Sequence, residues 1–333
     1  MNGYITLDYE LAMGNKTGTP EMCLFVPMNH LTTMLDKHGA KLNVFVDAAY
    51  LLQMKKLKND YPQLQKDYEA VTNHVRKLDA NGHAIQLHLH PQWCYSHYDG
   101  NKWVLDKNHY KLSDMPLKEQ KRLIHDGAQL LNSLVNRKVT AFRAGGYSIE
   151  NFPELYDTFL EEGIVADSSV LRGEQYKSKY QTYDYRNIPK KSSYKFSKNH
   201  KIEDVSGKMT EYPLSVKITP FIVNITNSLL YRIRNRQKWN AIKNKWGDGI
   251  GIGFPGGTKQ KVLIYLKRLV GKKSIVAYVE YGMVLESVYS YAPKHFQGDD
   301  FVIIGHPKCL SPYTIECLDK FISNHPEIDF RLM

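Results

Sequence analysis

The stretch Ala84-Ile85-Gln86-Leu87-His88-Leu89-His90-Pro91-Gln92 decides how this chain is read. Its alternation predicts a strand, with Ile85, Leu87 and Leu89 on one face and Gln86, His88, His90 and Gln92 on the other if it stays extended. The apolar row suits packing beneath helices. The polar row then points into a barrel, whose interior is normally filled by Val, Ile and Leu. Polar side chains there are tolerable only where they meet water, a metal ion or substrate. Neutral imidazoles are good zinc ligands.

Outward from that strand, strands and helices alternate. Tyr4-Ile5-Thr6-Leu7-Asp8-Tyr9-Glu10 reads as a strand, 26–38 as a helix and Leu42–Asp47 as a second strand. A helix over 61–80 stops at Asn81-Gly82. After Ala84–His90 come a helix at 116–136, the strand Val139–Arg143, a helix at 150–162 and a short strand, Ile164–Asp167. This βαβα rhythm predicts an α/β fold with a parallel sheet covered by helices. No Gly-rich phosphate loop follows the first strand, so a closed or nearly closed barrel fits better than a dinucleotide-binding sheet. The rhythm breaks over 172–295. That region holds a strand at Glu211–Val216 and a basic helix over 226–246 with Arg232, Arg234, Arg236, Lys238, Lys243 and Lys245, and with Trp239 and Trp246 interleaved. A glycine-rich run at 249–257 and a helix at 259–270 follow. The continuous apolar strand Phe301–Ile304 and a helix at 312–324 restore the pattern. The expected organisation is one domain over 1–333, with 172–295 an elaborated, substrate-covering insertion.

With 333 residues, 42% hydrophobic and 24% charged, the chain can bury a sizeable core. No run of about 18 apolar residues predicts a transmembrane helix. Met1-Asn2-Gly3 leads straight into a strand, without the basic and apolar regions of a signal peptide. Cys23, Cys94, Cys309 and Cys317 form no C-x-x-C pair and read as reduced thiols of a cytoplasmic protein. The net charge of +11 favours acidic partners: sugar-nucleotide phosphates, lipid pyrophosphates, an anionic membrane face or nucleic acid.

Several strands end in groups that carry chemistry. Asp8 and Glu10 share one strand face, and two acids so spaced can divide labour, one ligating a cation and the other taking a proton from water. His88 and His90 share the polar face described above. Arg143, in Phe142-Arg143-Ala144-Gly145-Gly146-Tyr147, suits a guanidinium that keeps an acid ionised and oriented. Asp167, in Asp167-Ser168-Ser169, is a further candidate acid or a helix N-cap. His306, in Gly305-His306-Pro307, sits where barrel enzymes place catalytic groups and is a candidate general acid. Tyr9, Trp93 and Tyr147 are candidate substrate contacts.

The ordered motifs Leu7-Asp8-x-Glu10, Gly82-His83-x-Ile85-x-x-His88, Phe142-Arg143-x-x-x-Tyr147, Asp167-Ser168-Ser169 and Gly305-His306-Pro307 resemble those of the polysaccharide deacetylases of the NodB-homology class, carbohydrate esterase family 4. The resemblance covers 4–170 and 299–325 and is greatest to a branch associated with O-antigen and other surface-polysaccharide biosynthesis. It implies a distorted (β/α)7-type barrel, with the long insertion before its last strand. It also implies that Asp8 is the catalytic base, that Glu10 and His88 are metal ligands, that Arg143 tethers the base, that Asp167 tunes the catalytic histidine, and that His306 protonates the leaving amine. The family's second ligand histidine corresponds to Gln92; His90, on the same strand face, takes its place here, with Gln92 the alternative third ligand. Glu10 stands where Asp is usual, and Ala144-Gly145-Gly146 where a proline is usual.

The expected activity is removal of an N-acetyl or related acyl group from an amino sugar, with a divalent metal, Zn²⁺ foremost, and an oxyanion held by the metal and a backbone N–H near Tyr147. A catalytically impaired glycan-binding protein and a deformylase or amidase on a nucleotide-linked amino sugar are the other readings. The expected partners are an amino-sugar or lipid-linked glycan and, at the inner membrane face, anionic lipid touched by the basic segment. Nucleic acid is not expected.

Overall fold

In the computed structural model, which describes residues 1–251 and 271–333, β1 (Asn2–Tyr9) is buried along nearly its whole length and lies next to the last strand at one end of the main sheet. β2 (Leu42–Asp47), β3 (Ala84–Leu89), β4 (Ala141–Ala144) and β5 (Ala166–Asp167) follow on one side, each parallel to its neighbour. β6 (Tyr194–Phe196) and β7 (Met209–Glu211) extend this side, with β7 parallel to β5 and β6 antiparallel at the edge. β8 (Val216–Pro220) and β9 (Lys272–Val276) form a separate antiparallel pair. On the other side β1 pairs with β10 (Asp300–Gly305). The spatial order is β6-β7-β5-β4-β3-β2-β1-β10. The sheet curls into a half-barrel, compatible with the barrel-like fold expected. Just past β7, the Ser215 N–H donates to the Val302 carbonyl of β10 at 3.1 Å, which links the two ends of the sheet.

The outer face is packed by α1 (Val26–Asp36), α2 (Ala48–Leu57), α3 (Pro62–Ala80), α4 (Leu117–Asn132) and α5 (Phe152–Glu161). Leu7, Val44, Val46, Leu87 and Leu89 face them and are wholly buried or nearly so. At ~25 cal/mol per Å² of apolar surface, this layer carries much of the stabilisation. The inner row holds Thr6, Asp8, Gln86, His88 and Arg143, which are buried and polar. No helix among the described residues is long and apolar enough to cross a membrane.

Three elements differ from expectation. α2 begins at Ala48 directly after Asp47, with no punctuating residue to announce it. The strand expected at Glu211–Val216 is divided between the end of β7 and the start of β8. The basic helix is two, α6 (Phe221–Arg234) and α7 (Arg236–Lys243), parted where Asn235 leaves helical geometry at φ −125°, ψ 44°. The helix expected over 259–270 and most of the 249–257 run lie outside the described residues. The described part of 172–295 otherwise consists of short strands, turns, a 3₁₀ segment (Val279–Val284) and two short helices, Leu285–Tyr289 and Ala292–His295. α8 (Pro312–Asn324), with Ser311 as its N-cap, is followed by a last short strand, Asp329–Phe330, that pairs parallel with the start of β1.

Candidate functional site

The C-terminal ends of β1 and β3 bring Glu10, His88 and His90 together, each nearly inaccessible to solvent. Their ligand atoms lie within 4.8 Å of one another. His88 Nε2 is 3.3 Å and His90 Nε2 2.6 Å from the same oxygen, Glu10 Oε2. His88 Nδ1 is 2.8 Å from the Arg143 carbonyl. A carbonyl only accepts, so a neutral His88 donates there and turns its Nε2 lone pair toward Glu10. Two acceptors so placed require a cation between them. In a metal-free site a proton serves: burial pulls His88 down, but Asp8, Glu10 and Asp47 hold it up at about 9. The set of one carboxylate and two imidazoles also suits a divalent metal ion. Among the described residues His90 Nδ1, which is buried, has no hydrogen-bond partner, so its ring is committed there only on the side facing Glu10.

The other Glu10 oxygen, Oε1, accepts from Lys308 Nζ at 2.7 Å, and Lys308 also reaches the Leu11 carbonyl at 2.8 Å. Burial pushes Glu10 up, but Lys308 and His90 outweigh it and hold the carboxyl well below its usual range. Lys308 thus fixes one Glu10 oxygen and leaves the other for the imidazoles. Asp47 supports His90 from behind. Its Oδ1 accepts the His90 N–H at 3.2 Å, and its Oδ2 accepts the Trp93 indole N–H at 2.8 Å.

Asp8 faces the same space. Arg143, fully buried, donates to Asp8 Oδ1 at 2.7 Å and spends its other donors on Thr6 Oγ1, Ser168 Oγ and the Ser168 carbonyl. Its guanidinium lies over the Phe45 ring, 4.2 Å from the centroid. Burial pushes the Asp8 carboxyl up, but Arg143, His88 and His306 together leave it below the ordinary value. Asp8 is therefore an ionised acid with one oxygen tethered and Oδ2 turned toward His306.

His306, just past β10, places Nε2 3.6 Å from Asp8 Oδ2 and 3.9 Å from Glu10 Oε1. Its Nδ1 is 2.6 Å from Glu280 Oε1. Burial pulls the imidazole down, and Glu280 first, then Asp8 and Glu10, raise it above its usual value. Neither Glu280 nor Lys308 was identified from the sequence. Lys308 lies only two residues beyond His306, which is a usable signal. Glu280 sits in the turn Val279–Val284 and reaches the site because Tyr278 pairs with Ile304.

Four assignments need correction. Asp167 does not hold the histidine, because the His306 Nδ1 partner is Glu280. The register pairs Asp167 with Phe142, whose ring packs on Phe159 of α5, and not with Arg143. Asp167 accepts from Ser169 Oγ at 2.6 Å and meets Glu211, and burial raises both carboxyls, Glu211 strongly. Gln92 leaves the strand face because Pro91 opens a 3₁₀ turn, Pro91–Tyr95, and its amide nitrogen faces Met13 Sδ at 3.2 Å. Tyr9 alternates away from Asp8 and Glu10, and its hydroxyl meets His74 Nδ1 at 2.7 Å. Trp93 is wholly buried against Asp47, so it supports His90 rather than touching substrate. Tyr147 is half-buried and strained at φ 60°, with its hydroxyl 2.8 Å from that of Tyr278.

No protein-family model and no curated protein matches the chain. Among solved structures it is similar to the polysaccharide deacetylase Bc1974 from Bacillus cereus, at 11% identity and a TM-score of 0.39, over 100% of this chain and 91% of that one. It is similar to the peptidoglycan deacetylase PdaC from Bacillus subtilis at 13% identity and a TM-score of 0.27, over 49% of this chain and 55% of that one. It is also similar to a GH57 branching enzyme from Thermococcus kodakaraensis at 10% identity and a TM-score of 0.45, over 100% and 70%.

Proposed function

We propose that this chain is a metal-dependent hydrolase that removes an N-acetyl or related acyl group from an amino sugar during surface-polysaccharide biosynthesis, O-antigen included. One observation carries the reading: a tethered carboxylate, Asp8, and a histidine held by Glu280, His306, face each other beside the Glu10–His88–His90 cluster. Amide hydrolysis needs a base for the attacking water, an acid for the departing amine and an electrophile for the carbonyl.

Glu10, His88 and His90 would hold the cation, with Zn²⁺ the best match to two imidazoles and a carboxylate. A divalent metal there supplies a Lewis acid for the acyl oxygen and lowers the pKa of a water. Asp8, ionised and unable to turn away from Arg143, accepts the water proton through Oδ2. His306, charged through its contact with Glu280, returns a proton from Nε2 to the amine nitrogen as the C–N bond breaks. Arg143 keeps Asp8 in place throughout. The substrate is a nucleotide-linked or lipid-linked amino sugar, met in the cytoplasm at the inner membrane face; free Cys23, Cys94, Cys309 and Cys317 are in keeping with a reducing compartment.

Acetate release from N-acetylated amino sugars, free and nucleotide-linked, tests the proposal alongside the metal content of the same preparation. Asp8→Asn should lower turnover by about 10²–10⁴-fold, the usual worth of a general base, with metal still bound. A wild-type rate from Asp8→Asn would rule this assignment out.

A further inference from the structure

The helix pair α6 and α7 takes no part in the site. A turn of 3.6 residues aligns Ile222, Thr226, Leu229 and Ile233 along α6, with Val223 and Leu230 beside them. In a globular protein such a stripe normally turns inward. Here it faces out: Ile233 is 68% exposed, Leu229 55% and Ile222 54%. The opposite side of the helix is the one that meets the protein, through buried Phe221 and through Tyr231, whose hydroxyl is 3.1 Å from that of Tyr313. The same geometry puts Arg232 and Arg234 on the two flanks of the stripe, and Arg236, Lys238 and Lys243 continue the charge along α7. All five are exposed, and among the described residues none of them forms an ion pair. Between Glu211 and Glu280 the only acid in the sequence is Asp248.

We propose that this face docks the protein on an anionic lipid surface, with the apolar stripe seated at the headgroup–acyl boundary and the flanking arginines on lipid phosphates. An exposed apolar row bordered on both sides by cations is the pattern of an interfacial helix. A second copy of the chain is a poor occupant, because two such faces would bring arginine against arginine with no acid between them. Nucleic acid would use the cations but leave the Ile and Leu row in water. The face is joined to the rim that carries the site. Just past α7 the Trp246 N–H donates to the Leu310 carbonyl at 3.1 Å. Gly247 lies so close to Lys308 that a Cβ there would sit 2.1 Å from the Lys308 carbonyl oxygen. Lys308 in turn holds Glu10. Docking is independent of which reaction the site performs.

Cosedimentation of the full chain with vesicles tests this, comparing phosphatidylcholine alone with phosphatidylcholine containing one third phosphatidylglycerol. Binding should require the anionic lipid and weaken as salt rises. Each cation near such a surface is worth about fivefold in partition, so Arg232→Ser with Arg234→Ser should weaken binding about thirtyfold. Ile233→Asp, a change at an exposed position whose fold is checked by circular dichroism, should weaken it tenfold or more, whereas Lys198→Ser, a cation elsewhere on the surface, should not. Equal binding to both vesicles, or to neither, overturns the proposal. So does a concentration-dependent dimer that Ile233→Asp dissolves, or retention of a DNA duplex by the wild type and not by the arginine variant without vesicle binding.

Discussion

Replacing Arg143 by Met removes a guanidinium that is 0% exposed and lies over the Phe45 ring, while keeping a side chain of similar length and apolar stem. The change strips donors from Asp8 Oδ1, Thr6 Oγ1, Ser168 Oγ and the Ser168 carbonyl, and leaves the Asp8 carboxylate buried without its counter-ion. Removing one partner of a buried ion pair costs about 3–5 kcal/mol. In an Asp8→Asn background the change strands no carboxylate and removes a guanidinium that has already lost its counter-ion, so it should cost at most about 1–3 kcal/mol for hydrogen bonds lost to neutral groups. The expected coupling between the two positions is therefore about 2 kcal/mol. Urea unfolding of the four proteins, with chelator present so that no metal ion replaces the guanidinium, measures it. The pH dependence follows from the depressed Asp8 value. A carboxyl lowered in the folded state stabilises above its unfolded pKa of about 3.9, and that contribution is lost as pH falls through the folded value. The gap between wild type and Arg143→Met should thus be widest at neutral pH and shrink on acidification. An Arg143→Met cost below about 1 kcal/mol, an equal cost in the Asp8→Asn background, or a gap indifferent to pH would show that Arg143 and Asp8 do not act as a buried ion pair.

Glu280→Gln removes the largest upward influence on His306, so the imidazolium should be lost at lower pH and the alkaline limb of kcat should move downward; an unmoved limb would separate Glu280 from the proton donor. His90→Ala should abolish tight metal binding by titration calorimetry, whereas Gln92→Ala should leave it near wild type, since Gln92 faces Met13. Gly145→Ala would place a Cβ 2.6 Å from the Leu89 carbonyl oxygen and 2.7 Å from His90 Nδ1. It should displace His90 and weaken metal binding about 10–100-fold, the effect of losing an outer support.

The parallel core was legible because period-two alternation and helix stops are local signals. They located β1 to β3 and placed Asp8, Glu10, His88 and Arg143 at strand ends. What could not be read depends on how distant segments meet. Glu280 reaches His306 only because 277–278 lies alongside β10, and nothing within residues 279–284 announces that contact. For Asp167, motif order gives sequence position but not register, and one residue of register decides which face of the sheet a side chain takes. Trp93 and Gln92 depart from expectation for a different reason: Pro91 ends the extended stretch, so alternation no longer applies beyond His90. Tyr9 is the assignment that alternation alone would have corrected. The α6 stripe was visible as periodicity, yet periodicity does not say which side of a helix meets the protein.

The proposed function rests on Glu10, His88 and His90 holding a divalent metal between Asp8 and His306. An anomalous difference map from crystals grown with Zn²⁺, recorded on both sides of the zinc edge, tests it most directly. One strong peak is expected within about 2.0–2.2 Å of His88 Nε2, His90 Nε2 and Glu10 Oε2. No peak there, or a peak only on other ligands, would contradict it.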